Sequence, residues 1–291
     1  MLEHQATSVD VIMPTKGRVH FFLEALQTLV DQTHRPLHVI VVDDGCSDEE
    51  TQRMDCALET ATKDAGPGFS AVRIRHAGAG AAAARNAGFR HGQSPYVLWM
   101  DSDDWLLPHK LEHSLKLMTA GEFDFVVSRA QHKQNGQLIE AYWGESVLKD
   151  RARFHFPFQT MCAILKRSFI QTANLHWNER LDSTNDWEFS NRALMAAKSF
   201  HYSKDVTAIY RTPAKTSQSI GSILTRGKIE SQLRGINKVL NINKASFGRV
   251  GGIYRIKHVR HAWFLLGASV KRGDFRTSAK ALGSMVLALT A

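Results

Sequence analysis

Short apolar runs alternate with amphipathic segments over the first two thirds of this 291-residue chain. Apolar runs of four to six residues are typical of buried strands, and apolar residues three and four apart predict helices. Strands are expected at residues 9–14, 38–42, 71–75, 96–100 and 124–127, and helices at 20–32, 49–63, 81–89, 109–120 and 185–197. This alternation predicts an α/β fold with a mainly parallel sheet and helices on both faces.

The strand at residues 96–100 runs directly into an acidic loop, Asp101, Ser102, Asp103 and Asp104. Three carboxylates at the end of a buried strand repel one another unless positive charge lies between them. Magnesium and manganese prefer carboxylate oxygens and keep coordination positions for substrate phosphates. The acidic loop therefore predicts a metal and phosphate site, with a simple turn or helix cap as the alternative.

A second acidic pair, Asp43 and Asp44, directly follows the strand at residues 38–42. Ligands bind parallel sheets at the carboxyl ends of the strands, where both acidic segments are expected to lie. The pair is a candidate for hydrogen bonds to a base or ribose. Its alternative is a turn or cap for the helix that begins near Glu49.

Four segments, in this order, resemble the motifs of family 2 glycosyltransferases. They are residues 11–18 (VIMPTKGR), 41–48 (VVDDGCSD), 84–88 (ARNAG) followed by the acidic loop, and 185–188 (NDWE). The resemblance covers about residues 8–215. It implies a catalytic domain of the GT-A fold over residues 1–220. The helical spacing of apolar residues from residue 221 onward separately predicts a basic helical C-terminal extension over residues 221–291. It also implies inverting, metal-dependent transfer of a sugar from a nucleotide sugar, with a UDP-sugar as the default donor.

The resemblance gives individual residues expected roles. Asp103, assisted by Asp101, is expected to hold Mn2+ or Mg2+, and Asp186 is expected to act as the general base. Expected contacts of the donor nucleotide are Pro14, Thr15, Arg18, Asp43, Asp44, Arg85, Asp101 and Arg211. Weaker candidates for acceptor contacts are Asn185, Trp187, Glu188 and Trp143.

The sequence departs from the family pattern at two positions. Asn185 stands where the family usually has an acid, so it could orient an acceptor but cannot ionise. Pro213 stands near the place where relatives often have a histidine, in a segment that resembles one closing over the diphosphate. Most aromatic side chains between Tyr142 and Trp187 are expected in the core, whereas Trp143 and Trp177, flanked by polar residues, are expected to be exposed.

The positive charge of the chain is concentrated at its C-terminal end. Residues 222–291 contain 13 Lys and Arg but only two acids, whereas the remainder contains 24 Lys and Arg and 26 acids. Such asymmetry predicts a polyanionic partner. Basic amphipathic helices predict peripheral contact with an anionic membrane, with a packed subdomain and a solvated basic face as the alternative. No nucleic acid is expected as a partner, since no known binding module is recognised.

The acceptor is expected to be a glycan or a lipid-linked glycan, as in surface polysaccharide or lipopolysaccharide synthesis. No secretory signal is visible, no apolar run reaches the ~18 residues of a membrane-spanning helix, and the three cysteines have no CxxC spacing. A cytoplasmic location is expected, with attachment to the inner face of the membrane as an open alternative.

Three other functions are open. The segment from Gly78 to Ala83 matches the dinucleotide-binding pattern GxGxxG/A, which would indicate an NAD-dependent oxidoreductase. Against it, the segment follows the third predicted strand instead of the first, and the acidic loop would repel a metal-free pyrophosphate. A nucleotidyltransferase would share the metal site, but residues 15–18 only faintly resemble its phosphate loop. A non-catalytic protein that binds a polyanion is the third.

Overall fold

The computed structural model describes residues 7–76, 78–143, 158–212, 224–248 and 252–291. The chain divides into two compact units. The first comprises Met1–Glu145, Phe158–Trp177 and Ala197–Thr212, and the second comprises Ser146–Pro157, Asn178–Ala196 and Pro213–Ala291. The predicted domain boundary at residue 221 lies outside the described residues.

The described part of the first unit contains a sheet of nine strands in the order β3-β2-β1-β4-β8-β6-β9-β5, with β7 beside β6. The strands are β1 (Val9–Thr15), β2 (Leu37–Asp43), β3 (Phe69–Arg75), β4 (Tyr96–Trp99), β5 (Trp105–Leu106), β6 (Phe125–Gln134), β7 (Gln137–Trp143), β8 (Ala163–Lys166) and β9 (Phe200–Arg211).

Strands β1 to β4 form the parallel half of the sheet, as the alternating pattern predicts. Every residue of β1 is buried, and neighbouring strands flank it on both edges. Burial on both faces explains why the run is largely apolar instead of alternating, and its one charged residue, Asp10, is paired with Arg167. The register places Thr15 opposite Asp43, so the ends of β1 and β2 are level.

The second half of the sheet is mixed. Strand β8 runs antiparallel to both β4 and β6, β9 runs parallel to β6, and β5 and β7 complete the edges in antiparallel pairings. The sequence pattern did not predict β5, β7, β8 or β9. Strand β5 has only two residues and β8 four, and β7 has no buried residue, so none of these three has a strong local pattern.

The helices of the first unit are α1 (Val19–Val30), α2 (Asp48–Asp64), α3 (Ala81–His91), α4 (Lys110–Gly121) and α5 (Arg167–Thr172). A capping box starts α2: the Ser47 side chain accepts from the Glu50 amide, and the Glu50 side chain accepts from the Ser47 amide. Helix α1 starts after Arg18, which has a left-handed backbone conformation.

The second unit is helical where it is described, as predicted for the C-terminal region. Its helices are α6 (Asn185–Ala196), α7 (Arg226–Phe247), α8 (Gly252–Val270) and α9 (Phe275–Thr290). An apolar cluster joins the last three helices, formed by Ile229, Leu233, Ile236, Ala262, Leu265 and Ala281. Across the described ranges, no helix is both long enough and apolar enough to span a bilayer.

A lysine is completely buried in the first unit. The ammonium group of Lys110, on α4, donates to Ser128 Oγ at 2.7 Å and to the Cys162 carbonyl at 2.8 Å. Burial lowers the pKa of Lys110 to about 8. Because an unfolded lysine titrates near about 10.4, the unfolded state binds more protons than the folded state between these two values. Stability therefore rises with pH over this window.

Replacing Lys110 by Met should remove this pH dependence. The free energy of unfolding of the wild type, measured with urea, should rise relative to that of Lys110→Met by on the order of 2 kcal/mol between about pH 8 and about pH 10. The exposed Lys116 on the same helix gives the control, since Lys116→Met should keep the wild-type slope. Equal slopes in the wild type and Lys110→Met would contradict the assignment.

Candidate active site

The sheet reverses its strand order beside β1. The chain passes from β1 to β2 and then to β3 on one side, and β4 lies on the other side of β1. The carboxyl ends of β1 and β4 therefore flank a topological switch point, where open α/β sheets bind ligands. Arg18 follows β1 and the acidic loop follows β4, so sequence-predicted site residues meet at this point.

Each carboxylate of the acidic loop contacts a different arginine. Asp101 accepts from the Arg85 guanidinium at 2.5 Å, and Asp103 accepts from the Arg18 guanidinium at 3.0 Å. Asp104 is buried and accepts from the backbone amide of Arg211 at 3.2 Å. Arginine side chains thus supply positive charge beside Asp101 and Asp103, whereas Asp104 accepts from a backbone amide.

The acidic loop still favours additional positive charge. Burial raises the pKa of Asp103, and the neighbouring Asp101 carboxylate raises it further, although Arg18 opposes both effects. Burial, together with Asp103 and Asp101, raises the pKa of Asp104 well above its ordinary value. A divalent cation beside Asp103 would relieve this repulsion.

The donor set fits a magnesium or manganese ion that is shared with a substrate. Within the described ranges, no three His, Cys, Asp or Glu side chains converge closely enough to hold a metal ion. Asp103 is partly exposed, and its Arg18 partner lies on the surface, so this carboxylate could exchange Arg18 for a cation. Such a cation would take its other ligands from water and substrate phosphates, as magnesium usually does.

Asp43 and Asp44 organise the loops that follow β2 and β3. Asp43 is fully buried and accepts from the amides of Gly45 at 3.1 Å and Cys46 at 2.8 Å. Burial raises its pKa, but these hydrogen bonds outweigh burial and leave the pKa below its ordinary value. Asp44 accepts from the Gly80 amide at 3.0 Å. Their contact with a donor nucleotide stays a prediction.

Pro14 and Thr15 end β1 beside these groups and are buried. The Thr15 carbonyl accepts from the Asp44 amide at 2.9 Å, which ties β1 to the acidic pair. Among the described residues, the buried Thr15 hydroxyl has no hydrogen-bond partner. An unsatisfied buried hydroxyl next to the switch point is consistent with the predicted donor contact.

The segment of α3 that contains Arg85 forms a buried clamp on Trp177. Asn86 donates to the Trp177 carbonyl at 2.9 Å and accepts from its amide at 2.8 Å, and the Arg85 guanidinium lies 4.4 Å from the ring centre. Trp177 is only 2% exposed, so the prediction that it is exposed was wrong. Its polar neighbours in sequence did not reveal this partner, which lies 91 residues away.

Arg211 ends β9 and holds the acidic loop in place. Its guanidinium pairs with Glu24, donates to the Asp103 carbonyl at 3.1 Å, and lies between the rings of Phe21 and Trp105. A donor contact for Arg211 stays a prediction. The segment predicted to close over the diphosphate continues to Pro213, which lies outside the described residues.

Trp143, the acceptor candidate of the first unit, ends β7 and is partly exposed. Its ring lies 5.4 Å from that of His132 and meets Tyr210 edge-on at 5.9 Å. Trp143 therefore belongs to a small aromatic group on β6, β7 and β9. Its contact with an acceptor stays a prediction.

The other acceptor candidates and Asp186 lie at the start of α6 in the second unit. Asp186 is partly exposed and accepts from the Trp187 amide at 2.8 Å. Trp187 packs against the apolar cluster of that unit. Asn185 lies within reach of the Leu181 carbonyl, at 3.5 Å. The roles of these three residues stay predictions.

Glu188 has an extensive set of partners of its own. It is fully buried, and its carboxylate binds the Arg192 guanidinium at 2.8 Å and the Lys238 ammonium at 2.6 Å. An acceptor contact would require one of these ion pairs to open. The geometry favours a role in joining α6 to α7.

Sequence analysis did not identify three residues that support the site. Arg73 binds both Asp43 and Asp55, His76 lies 3.1 Å from Asp44, and Asn86 holds Trp177. His76 directly follows Arg75, which lies opposite Asp43 in the parallel register, and Arg73 lies two residues earlier on β3, opposite Val41. The expected parallel alignment of β2 and β3 was the signal that could have suggested a role for Arg73 and His76 near the acidic pair.

Comparison with known proteins identifies the family. The profile of the glycosyl transferase family 2 matches residues 10–172, which is more than half of the chain, so the chain belongs to this family. An uncharacterized glycosyltransferase of Rickettsia felis is 31% identical over 137 residues, which are 46% of this chain and 21% of that protein. This chain therefore matches only about a fifth of that relative.

Two further comparisons extend over more of the chain. The putative glycosyltransferase EpsH of Bacillus subtilis is 26% identical over 221 residues, covering 71% of this chain and 61% of that protein. S. aureus TarS 1-349 in complex with UDP-GlcNAc has a TM-score of 0.76 at 17% identity, covering 97% of this chain and 81% of TarS 1-349.

The mannosyltransferase PcManGT of Pyrobaculum calidifontis, solved with GDP-Man and Mn2+, has a TM-score of 0.56 at 18% identity, with 97% of this chain and 80% of that chain covered. These structural similarities confirm the predicted GT-A fold.

The clamp between Asn86 and Trp177 should be critical for stability. Asn86→Asp removes the donor to the Trp177 carbonyl and buries a charge, so it should lower the free energy of unfolding by about 2–3 kcal/mol. Urea unfolding measures this change. Asn135→Asp, at the exposed turn between β6 and β7, is the matched control and should change stability little. The clamp has no such importance if both variants are equally stable.

Proposed function

We propose that this protein is an inverting glycosyltransferase that transfers a sugar from a nucleotide sugar to a hydroxyl group, with a divalent metal ion as cofactor. The observation that carries the proposal is the acidic loop at the switch point, where Asp103 is partly exposed beside Arg18. Membership of family 2 supports the same reaction class. The match covers only 21% of the Rickettsia felis relative, so glycosyl transfer is a proposal for this chain.

Asp103, assisted by Asp101, would hold the metal ion. When bound, the ion would neutralise the charge that develops on the departing diphosphate. Arg18 would then leave Asp103 and bind a phosphate oxygen of the donor, since a guanidinium pairs well with phosphate. Arg85 would keep Asp101 in position through its 2.5 Å ion pair. The loops held by Asp43 and Asp44 would receive the nucleoside.

Asp186 would remove the proton from the acceptor hydroxyl as this oxygen attacks the anomeric carbon. The attack occurs on the face opposite the departing nucleotide, so the anomeric configuration inverts. The Trp187 amide, which donates to Asp186 at 2.8 Å, would hold the carboxylate in one orientation. The acceptor would be a glycan or lipid-linked glycan of the kind used in surface polysaccharide synthesis.

A UDP-sugar is the donor we propose. TarS 1-349 was solved with UDP-GlcNAc, whereas PcManGT was solved with GDP-Man, so the fold accommodates more than one base. A thermal-shift screen against UDP-, GDP-, CDP- and dTDP-sugars and NAD, each with and without Mn2+, tests the proposal. Stabilisation by UDP-sugars that requires Mn2+ is expected. Metal-independent stabilisation by NAD would overturn it in favour of the Gly78 to Ala83 pattern.

Asp103→Asn should abolish the Mn2+-dependent part of the shift caused by the donor while leaving the unfolding temperature of the free protein nearly unchanged. The amide lacks the charge that binds the cation, and it keeps the size of a side chain that is partly exposed. Asp48→Asn is the control, because the Asp48 side chain is almost fully exposed at the start of α2. A full Mn2+-dependent shift in Asp103→Asn would exclude Asp103 as a ligand.

Asp186→Asn should bind donor and Mn2+ normally but lose about 10²–10⁴-fold in transfer rate, which is the range for loss of a general base. Product release measured as nucleoside diphosphate gives the rate, and thermal shift gives donor binding. Asp182→Asn changes an exposed carboxylate in the loop before α6 and should retain full activity. If Asp186→Asn transfers at the wild-type rate, another group is the base.

A further inference from the structure

Helix α9 has its large apolar side chains on the outside. Phe275, Leu282, Val286 and Leu289 recur at helical spacing and are exposed, Phe275 by 84% and Leu289 by 65%. The opposite face is buried and consists of small or hydroxyl side chains, namely Thr277, Ser278, Ala281, Ser284 and Ala288. A helix that packs on a protein core in water normally has the reverse arrangement.

Helix α8 also has several large apolar side chains on its exposed side. Trp263 is 64% exposed, and Ile256, Phe264 and Val270 are exposed as well. Among the side chains of α8 whose burial is described, the buried ones are His258, Ala262, Leu265 and Ser269, and Leu265 is the large aliphatic residue of this group. Isolated exposed apolar residues are common, but a repeated pattern on two adjacent helices indicates an interaction surface.

Polar hydrogen bonds join the helices on their inner side. His258 on α8 pairs with Ser284 on α9 at 2.9 Å, and Ser284 donates to Asn237 on α7 at 2.6 Å. Ser269 and Ser278 pair at 2.9 Å. Small residues and hydroxyl groups between helices, with large apolar residues outside, are the packing found where helices are surrounded by lipid.

The outer face of α8 and α9 is defined by Ile256, Trp263, Phe264, Val270, Phe275, Leu282, Val286 and Leu289. Both helices place residues in the apolar cluster against α7, so the outer face is directed away from α7. Basic residues border it, including the exposed Lys257, Arg260, Lys271 and Arg276. Residues 222–291 contain only two acids, Glu230 and Asp274.

The positive charge around the outer face of α8 and α9 indicates what kind of partner binds it. Two copies of this face would bring like charges together, which is unfavourable. Anionic lipid headgroups attract the basic border, while the acyl-chain boundary accepts the apolar residues. Helix α8 carries three charged side chains and α9 two, and neither helix can span a bilayer. The fitting geometry is therefore that of helices lying in the plane of the interface.

We propose that the outer face of α8 and α9 binds the surface of an anionic lipid bilayer, with its apolar side chains inserted at the headgroup level. This inference stands independently of the transfer reaction. Leu265 and Leu266 do not belong to this face, because Leu265 is buried and Leu266 packs against the apolar cluster.

Co-sedimentation of the purified full chain with vesicles tests the proposal. One set of vesicles is pure phosphatidylcholine and the other contains phosphatidylglycerol as the anionic component. Binding should require the anionic lipid and should decrease between low and high salt. Two double variants, Trp263→Ser with Phe264→Ser and Leu282→Ser with Val286→Ser, should each weaken binding by about tenfold or more.

Leu138→Ser is the control, since Leu138 is exposed on β7 and lies outside this surface. It should bind vesicles as the wild type does. Thermal unfolding should show that the double variants remain folded, because every changed side chain is exposed.

Absence of binding to anionic vesicles at low salt would overturn the proposal, as would unchanged binding by both double variants. Sedimentation velocity of the wild type without lipid provides a further test. A dimer that dissociates in either double variant would assign the outer face to self-association instead.

Discussion

The acidic loop after β4 depends on compensation of its negative charge. Its three carboxylates lie at the end of a buried strand, where repulsion would disrupt the loop without nearby cations. Arg85 from α3 and Arg18 from the loop after β1 supply those cations, and Arg211 at the end of β9 binds the loop through its backbone amide and its guanidinium. Because these arginines come from three separate elements, the same interaction that makes the loop possible also fixes the ends of β1, β4 and β9 around the switch point.

The arginines differ in how firmly they are held. Arg85 is buried between Asp101 and the Trp177 ring, and Arg211 lies between two aromatic rings while pairing with Glu24. Arg18 is exposed and forms a surface ion pair, which typically contributes at most about 1 kcal/mol. The structure therefore combines two rigid positioning groups with one group that can readily exchange partners, and this combination suits a site that must accept a charged substrate.

The helical unit follows a different physical principle. Its inner contacts include hydrogen bonds between serine, histidine and asparagine side chains, and much of its large apolar surface is external. Buried polar groups of this kind fix the alignment of helices because each must keep its partner. Basic amphipathic composition was evident in the sequence. The sequence did not show which residues face outward, because His258 and Ser284 become core residues only when α8 and α9 pack together.

Local sequence patterns were sufficient for the parallel strands β1 to β4, which contain short apolar runs, and for the helices between them and at the C-terminal end, where apolar residues recur at helical spacing. The acidic segments could also be placed, because they follow strands directly. The motifs also identified the family, because their order along the chain can be read from the sequence without a structure. Tertiary structure decided what depends on distant residues. The exposure predicted for Trp177 failed because Asn86, far away in sequence, binds its backbone, and β5, β7 and β8 form through pairing, not local propensity. Local patterns report which face of a segment is apolar, but only the assembled fold decides which surface covers that face.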